Sequence, residues 1–259
     1  MSAAHWKEEA VFRANFDGSA DAVLSLGDPR IYSAPDYSKA DQAQPGLPST
    51  SVELAPDEGI QGGALRFVKP NKVAVFYKGL GNVPFEPKNW TGTLSLWLRL
   101  DPQLDLEKDY CDPIQLTDKA YNDSAIWVDF TKDGNPKPFR LGIFGSLKEW
   151  NPNNKNPESD PTFDNRLVAI PKPEFSRERW THIAIVFQGL GSGSGDAHFY
   201  MNGTLRGKTE QIKEAFSWDM GRGSIRLAFN YAGYMDEIAL FKRALTNREV
   251  MQILKAKGW

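Results

Sequence analysis

The chain has 259 residues, 41% hydrophobic and 25% charged, the usage of a globular protein with enough apolar material for a large core and not that of a disordered chain. Its 31 basic and 33 acidic residues leave a formal charge of -2, so the basic footprint that phosphate-backbone binding demands is missing and no nucleic-acid partner is expected. No run approaches the roughly 20 apolar residues of a membrane span, and no membrane insertion is expected.

Sandwiches and barrels commonly fill roughly 200–250 residues as one unit, so a single domain over residues 1–259 is the expectation. Aromatic residues at 12%, with 17 Pro and 22 Gly, favour short strands joined by turns. Cys111 stands alone and cannot form an intramolecular disulfide. The opening "MSAAHWKEEAVF" has no signal-peptide core, which leaves a cytosolic chain or one from which a leader was removed.

In chain order, the first feature is a long loop at 36–59, rich in Pro, Asp and Ser; a second lies at 146–165. Loops of this length are uncommon in compact domains, and each is either a binding element or a surface insertion. Between them, "TLSLWLRL" at 93–100 alternates Leu94, Leu96, Leu98 and Leu100 with Thr93, Ser95, Trp97 and Arg99, the period of a strand. "AIWVDF" at 125–130 places Ile126, Val128 and Phe130 on one face and Trp127 with Asp129 on the other. "FRLGIF" at 139, "WTHIAIVF" at 180, "AHFYMNG" at 197 and "SIRLAFN" at 224 continue the rhythm. In "YMDEIALF", 234–241, Met235, Glu237, Ala239 and Phe241 alternate with Tyr234, Asp236, Ile238 and Leu240, a strand apolar on both faces. Thr246 and Glu249 then form a T-x-x-E capping box before a short helix with an inner stripe of Val250, Ile253 and Leu254. No helical period comes earlier, which argues against βαβ units.

Trp97 and Trp127 both face away from their strands' aliphatic side. Together they would make a platform for sugar rings, with Asp129 hydrogen-bonding a hydroxyl; alternatively the reverse faces are covered and the indoles are packing groups. The acidic string Asp105, Glu107 and Asp109 is read as a solvated loop, since it follows a strand end and lies among Lys and Pro. With His5, His182 and His198 alone and no H-E-x-x-H, a zinc protease is unsupported, and His182 reads as a hydrogen-bonded core or rim residue. "GTLRGKT" at 203–209 has three residues between its glycines where a phosphate-binding loop needs four. No catalytic residue is assigned.

Several stretches resemble, in order, the laminin-G-like, concanavalin A-like jelly-roll family: "FRANFDGS" at 12, "GGALRF" at 62, "GTLSLWLRLD" at 92, "RWTHIAIVF" at 179, "HFYMNGTLRG" at 198 and "GYMDEIALFKRALTNREV" at 233. The resemblance implies an all-β fold, a two-sheet antiparallel jelly-roll sandwich with a short C-terminal helix. It also implies a structural calcium between Asp17 of the opening loop and Asp236 of the last strand, completed by backbone carbonyls. The competing reading has Asp236 accepting backbone N–H bonds and Asp17 capping a turn. On function the resemblance implies a non-catalytic module binding a glycan or other surface ligand, placed in the extracellular space, the periplasm or the cell surface. A glycan-cleaving enzyme and a structural or adhesion module binding a protein partner are the alternatives, because function lives in sites and not in the sandwich.

Overall fold

The computed structural model describes residues 5–48, 50–70 and 72–259. In chain order the strands are β1 (Ala10–Ala14), β2 (Leu24–Ser25), β3 (Ile31–Ala34), β4 (Gln44–Pro45), β5 (Val52–Ala55), β6 (Ala64–Phe67), β7 (Ala74–Lys78), β8 (Trp90–Arg99), β9 (Cys111–Thr117), β10 (Ala125–Phe130), β11 (Phe139–Phe144), β12 (Leu167–Ile170), β13 (Thr181–Leu190), β14 (Asp196–Met201), β15 (Thr204–Lys208), β16 (Ser224–Phe229) and β17 (Gly233–Phe241). Helices α1 (Pro102–Asp105), α2 (Leu147–Trp150) and α3 (Pro161–Asp164) are single turns in loops, and α4 (Asn247–Ala256) follows the last strand.

The strands form two antiparallel sheets, as the all-β sandwich reading requires. One runs β15-β14-β13-β8-β17-β1-β2, with β6 beside the start of β17 and β5 beyond it; the other runs β12-β11-β10-β9-β16-β7-β3-β4. The alternation seen in the sequence sorts the faces. Leu94, Leu96 and Leu98 of the first sheet meet Ile126, Val128 and Phe130 of the second in one core, all unexposed. Each such side chain contributes about 1.5–3 kcal/mol by leaving water.

Strand β17 departs from strict alternation. Its pairing with β8 slips between Asp236 and Ala239, and Glu237 has φ 49, the left-handed region. A bulge of this kind inserts one residue and reverses the faces beyond it. Met235 therefore shares the inner core with Ile238 and Leu240, while Ala239 and Phe241 face outward, which corrects the grouping of Met235 with Ala239 and Phe241.

Outside the first sheet, α4 lays Val250 and Ile253 against Trp6, Phe241 and Leu245, with Leu254 half-buried beside them. The capping box is formed: Glu249 N–H donates to Thr246 Oγ1 at 3.3 Å and Thr246 N–H to Glu249 Oε2 at 2.8 Å. Among the described residues the outer face of the second sheet carries no such helix, and there the long loops converge.

Candidate functional site

Two adjacent rows of side chains cross the outer face of the second sheet. Strand register sets the first as Phe76, Arg226, Gln115, Trp127 and Gly142, on β7, β16, β9, β10 and β11. The second carries Phe229 opposite Asp112, and Asp129 opposite Arg140. Arg226, Gln115 and Trp127 of the first row and all four residues of the second line a cavity of about 730 Å³. Its walls come from loops: Tyr37 from the first long loop, Tyr110 and Tyr121 from the segments flanking β9, and Asn156, Pro157 and Phe163 from the second long loop. Neither loop is structureless. The first holds a 3-10 turn at Tyr37–Gln42 and two strands, and the second holds α2, a 3-10 turn and α3.

Trp127 and Asp129 thus sit together as expected, but Trp127 is floor and not platform. It is 2% exposed, its Nε1 donates to the Tyr121 carbonyl at 2.6 Å, and it stacks on Phe144 at 5.7 Å. A methyl at Gly142 would meet the indole Cζ2 at 2.3 Å, so a glycine is what lets the ring lie flat across β11. The ring offered at the rim is Tyr121, 42% exposed and edge-on to Trp127 at 6.4 Å.

Trp97 is elsewhere. It belongs to the other sheet, is 4% exposed, pairs in register with His182 and Asp236, and packs against the His182 ring at 4.9 Å. The two tryptophans cannot form one platform, because their strands lie in different sheets of the sandwich. His182 itself is buried, bonded to Ser95 Oγ at 2.9 Å, with its pKa pushed down to about 3 by burial.

The cavity's charges are ordered. Arg140 donates from Nε to Asp129 Oδ1 at 2.9 Å and from Nη2 to Oδ2 at 2.5 Å, a bidentate pair. Burial pushes the Asp129 carboxyl up against that pull. Burial, then the charge of Asp129, pushes Asp112 well up too, while the Gln115 amide donating to it pulls the other way. Asp109, read from the sequence as part of a solvated loop, is exposed, lines the cavity and accepts from Asn230 at 3.1 Å; Asp105 lies outside the cavity and pairs with Arg177. The sequence reading missed Arg140, Asp112, Gln115, Arg226 and the loop tyrosines. Arg140 was within reach: in a hairpin it falls opposite Asp129, whereas Asp112 and Arg226 depend on long-range register.

Asp17 and Asp236 clasp one loop between the first and last strands. Asp236 is unexposed; its Oδ2 accepts from Ile60 N–H at 2.8 Å and its Oδ1 from Glu237 N–H at 2.7 Å. Asp17 Oδ1 accepts from Gly63 N–H at 2.8 Å. The backbone-acceptor geometry weighed for Asp236 is therefore present. Burial, with Glu237 and Asp17 nearby, raises the Asp236 carboxyl to about 8. Glu237 is held by Arg13 through two bonds of 2.7 Å. A methyl at Gly59 would lie 2.1 Å from the Gly63 carbonyl oxygen, 2.5 Å from that of Gln61 and 2.7 Å from Asp236 Oδ2. Oxygens converging this way suit a hard cation. Among the described residues no three His, Cys, Asp or Glu side chains stand together as a metal site, so an ion here would lean on those carbonyls.

A family described as the concanavalin A-like lectin/glucanases superfamily matches residues 77–251, more than half of the chain. No curated protein matches it in sequence. Among solved structures, domain 4 of AbnA, a GH43 extracellular arabinanase from Geobacillus stearothermophilus in complex with arabinotriose, is similar with a TM-score of 0.56 at 16% identity, over 95% of this chain and 99% of that one. A structure described by the cell entry of botulinum neurotoxin type C and its dependence on two ganglioside molecules has a TM-score of 0.63 at 10% identity, over 100% of this chain and 53% of that one. The serotype D ligand-binding domain in complex with N-acetylneuraminic acid gives 0.58 at 10%, over 98% and 53%. The chain thus spans about half the length of the toxin chains. These likenesses show a shared fold.

Proposed function

Because the chain belongs to the concanavalin A-like lectin/glucanases superfamily, we propose that it is a non-catalytic carbohydrate-binding module whose ligand lies in the cavity on the outer face of the second sheet. One observation carries this reading: the cavity joins an exposed aromatic rim, Tyr121, to a floor of fixed planar hydrogen-bonding groups, Gln115, Asp129 and Arg140. Sugars present apolar ring faces and in-plane hydroxyls, and this pairing answers both. At about 730 Å³ the volume falls in the range of about 300–1,000 Å³ that encloses a drug-sized ligand, which a short oligosaccharide is. The arabinotriose complex of the similar arabinanase domain supports a glycan, and that enzyme's extracellular setting supports an extracellular, periplasmic or surface location. We further propose a structural calcium at Asp17 and Asp236.

The rival is hydrolysis, favoured by Asp112, whose carboxyl burial pushes up beside Asp129. Against it, both Asp129 oxygens are committed to the Arg140 fork. Affinity electrophoresis against a polysaccharide panel, with released reducing ends assayed afterwards, tests the choice. Retardation without release is expected, lost in Tyr121→Ala and Asp129→Asn and kept in Trp97→Phe. Release of reducing ends, or retention by Tyr121→Ala with loss in Trp97→Phe, overturns the proposal.

A further inference from the structure

Of the two cavity arginines, Arg140 has its carboxylate and Arg226 does not. Arg226 is half-buried on β16, between Phe76 and Gln115 in the first row, its Nε donating to Ser224 Oγ at 3.2 Å and its Nη1 to the Lys119 carbonyl at 3.2 Å. Its guanidinium lies 4.8 Å from the Tyr37 ring centre, and that ring is anchored with its hydroxyl 3.0 Å from the Val75 carbonyl and 3.2 Å from that of Leu227. Among the described residues no carboxylate forms an ion pair with it. The acid whose charge it feels, Asp118, accepts from Asp219 N–H at 2.8 Å and stands 3.2 Å from Lys119 Nζ. Burial accordingly lowers the pKa of Arg226.

A desolvated cation without an ion-paired carboxylate is costly, and here it is stacked on Tyr37, fixed in orientation and facing a ligand cavity. The carboxylates of the same cavity do not serve it: Asp129 is taken by Arg140, Asp112 is bonded to Gln115, and Asp109 to Asn230. Asp112 and Asp129 also stand on the neighbouring row: Asp112 pairs with Phe229, three residues beyond Arg226, and Asp129 lies on β10, two strands from β16. The cavity is thus bipolar, neutralised at the Asp129–Arg140 end and positive at the Arg226 end.

We propose that the cavity takes an acidic saccharide, whose ring carboxylate pairs with the open edge of the Arg226 guanidinium while its hydroxyls meet Gln115 and the Asp129–Arg140 pair. This rests on the carbohydrate-binding reading above. Arginine suits the role because its fork matches a carboxylate in two-point geometry and keeps its charge when partly desolvated.

The test is calorimetric titration of the whole chain with digalacturonate, with galactobiose as its uncharged counterpart, and with the α-methyl glycoside of N-acetylneuraminic acid. The expected result is binding of an acidic probe at least tenfold tighter than galactobiose, an advantage that shrinks with added NaCl and disappears in Arg226→Gln. Which acidic probe binds distinguishes a uronate from a sialate. Equal affinity for acidic and neutral probes, or an advantage untouched by Arg226→Gln in a variant with unchanged near-ultraviolet circular dichroism, overturns the acidic-ligand inference and leaves carbohydrate binding standing. An advantage insensitive to NaCl in the unaltered protein overturns it without any variant. No binding of any probe, with no retardation by the polysaccharide panel, overturns both.

Discussion

The Asp236 carboxyl makes stability depend on pH in an unusual direction. An unfolded aspartate titrates near 3.8, whereas burial raises this one to about 8 in the folded chain. Between pH 5 and 8 the unfolded state has released the proton that the folded state still holds, so raising the pH favours unfolding. Each pH unit in that window costs about 1.4 kcal/mol for one fully displaced proton, or about 4 kcal/mol across three units. For a chain of this length that is about 7 °C of melting temperature. The perturbation is Asp236→Asn, which cannot titrate, and the assay is urea unfolding at half-unit steps from pH 5 to 8 in chelator. The difference between the two proteins isolates this carboxyl from Asp112, Asp129 and Glu237, which are also pushed up and slope the same way. The stability of the unaltered protein relative to the variant should fall steadily through the window; a flat or rising difference refutes the reasoning. Saturating calcium, which binds the ionised form, should flatten the fall, and identical curves in calcium and chelator would count against the ion alone.

Arg13→Ala should cost about 3–5 kcal/mol in denaturant unfolding, because it leaves the 4%-exposed Glu237 side chain unpaired; a loss below about 1 kcal/mol would mean that water reaches the carboxylate. Gly142→Ala should destabilise by about 1–3 kcal/mol and abolish glycan retardation, since the new methyl displaces the Trp127 indole from the cavity floor; full retention of binding would show that the floor can shift. Thr246→Ala should cost about 1 kcal/mol and Thr246→Ser much less, read by thermal unfolding, because the cap of α4 needs only the hydroxyl oxygen.

What could be read from the chain alone was whatever is local. Alternation at 94–100 and 125–130 is a property of neighbouring residues, so it announced those strands and their inner faces before any partner was known. The capping box at Thr246 and Glu249 is likewise complete within four residues. Strand β17 marks the limit: nothing in "YMDEIALF" signals that Glu237 takes a left-handed conformation and reverses the faces beyond it, because that bulge is imposed by the 59–63 loop and Arg13, both distant in sequence.

The site follows the same division. Trp127 and Asp129 could be picked out because two polar-capable residues stood on the reverse of an aliphatic strand, and Trp97 was picked by the same pattern although its strand lies in the other sheet. Period tells which side of a strand a residue takes, and not which sheet receives the strand or what covers that side. By itself the sequence determined an all-β chain, its main strands and its final helix, since these depend on hydrophobic period and turn chemistry, while the sandwich was implied by the family resemblance. The tertiary structure alone decided that Asp112, Gln115, Asp129, Arg140 and Arg226 share one cavity walled by two long loops, since their proximity comes from hydrogen-bonded register between strands as far apart as residues 112 and 226.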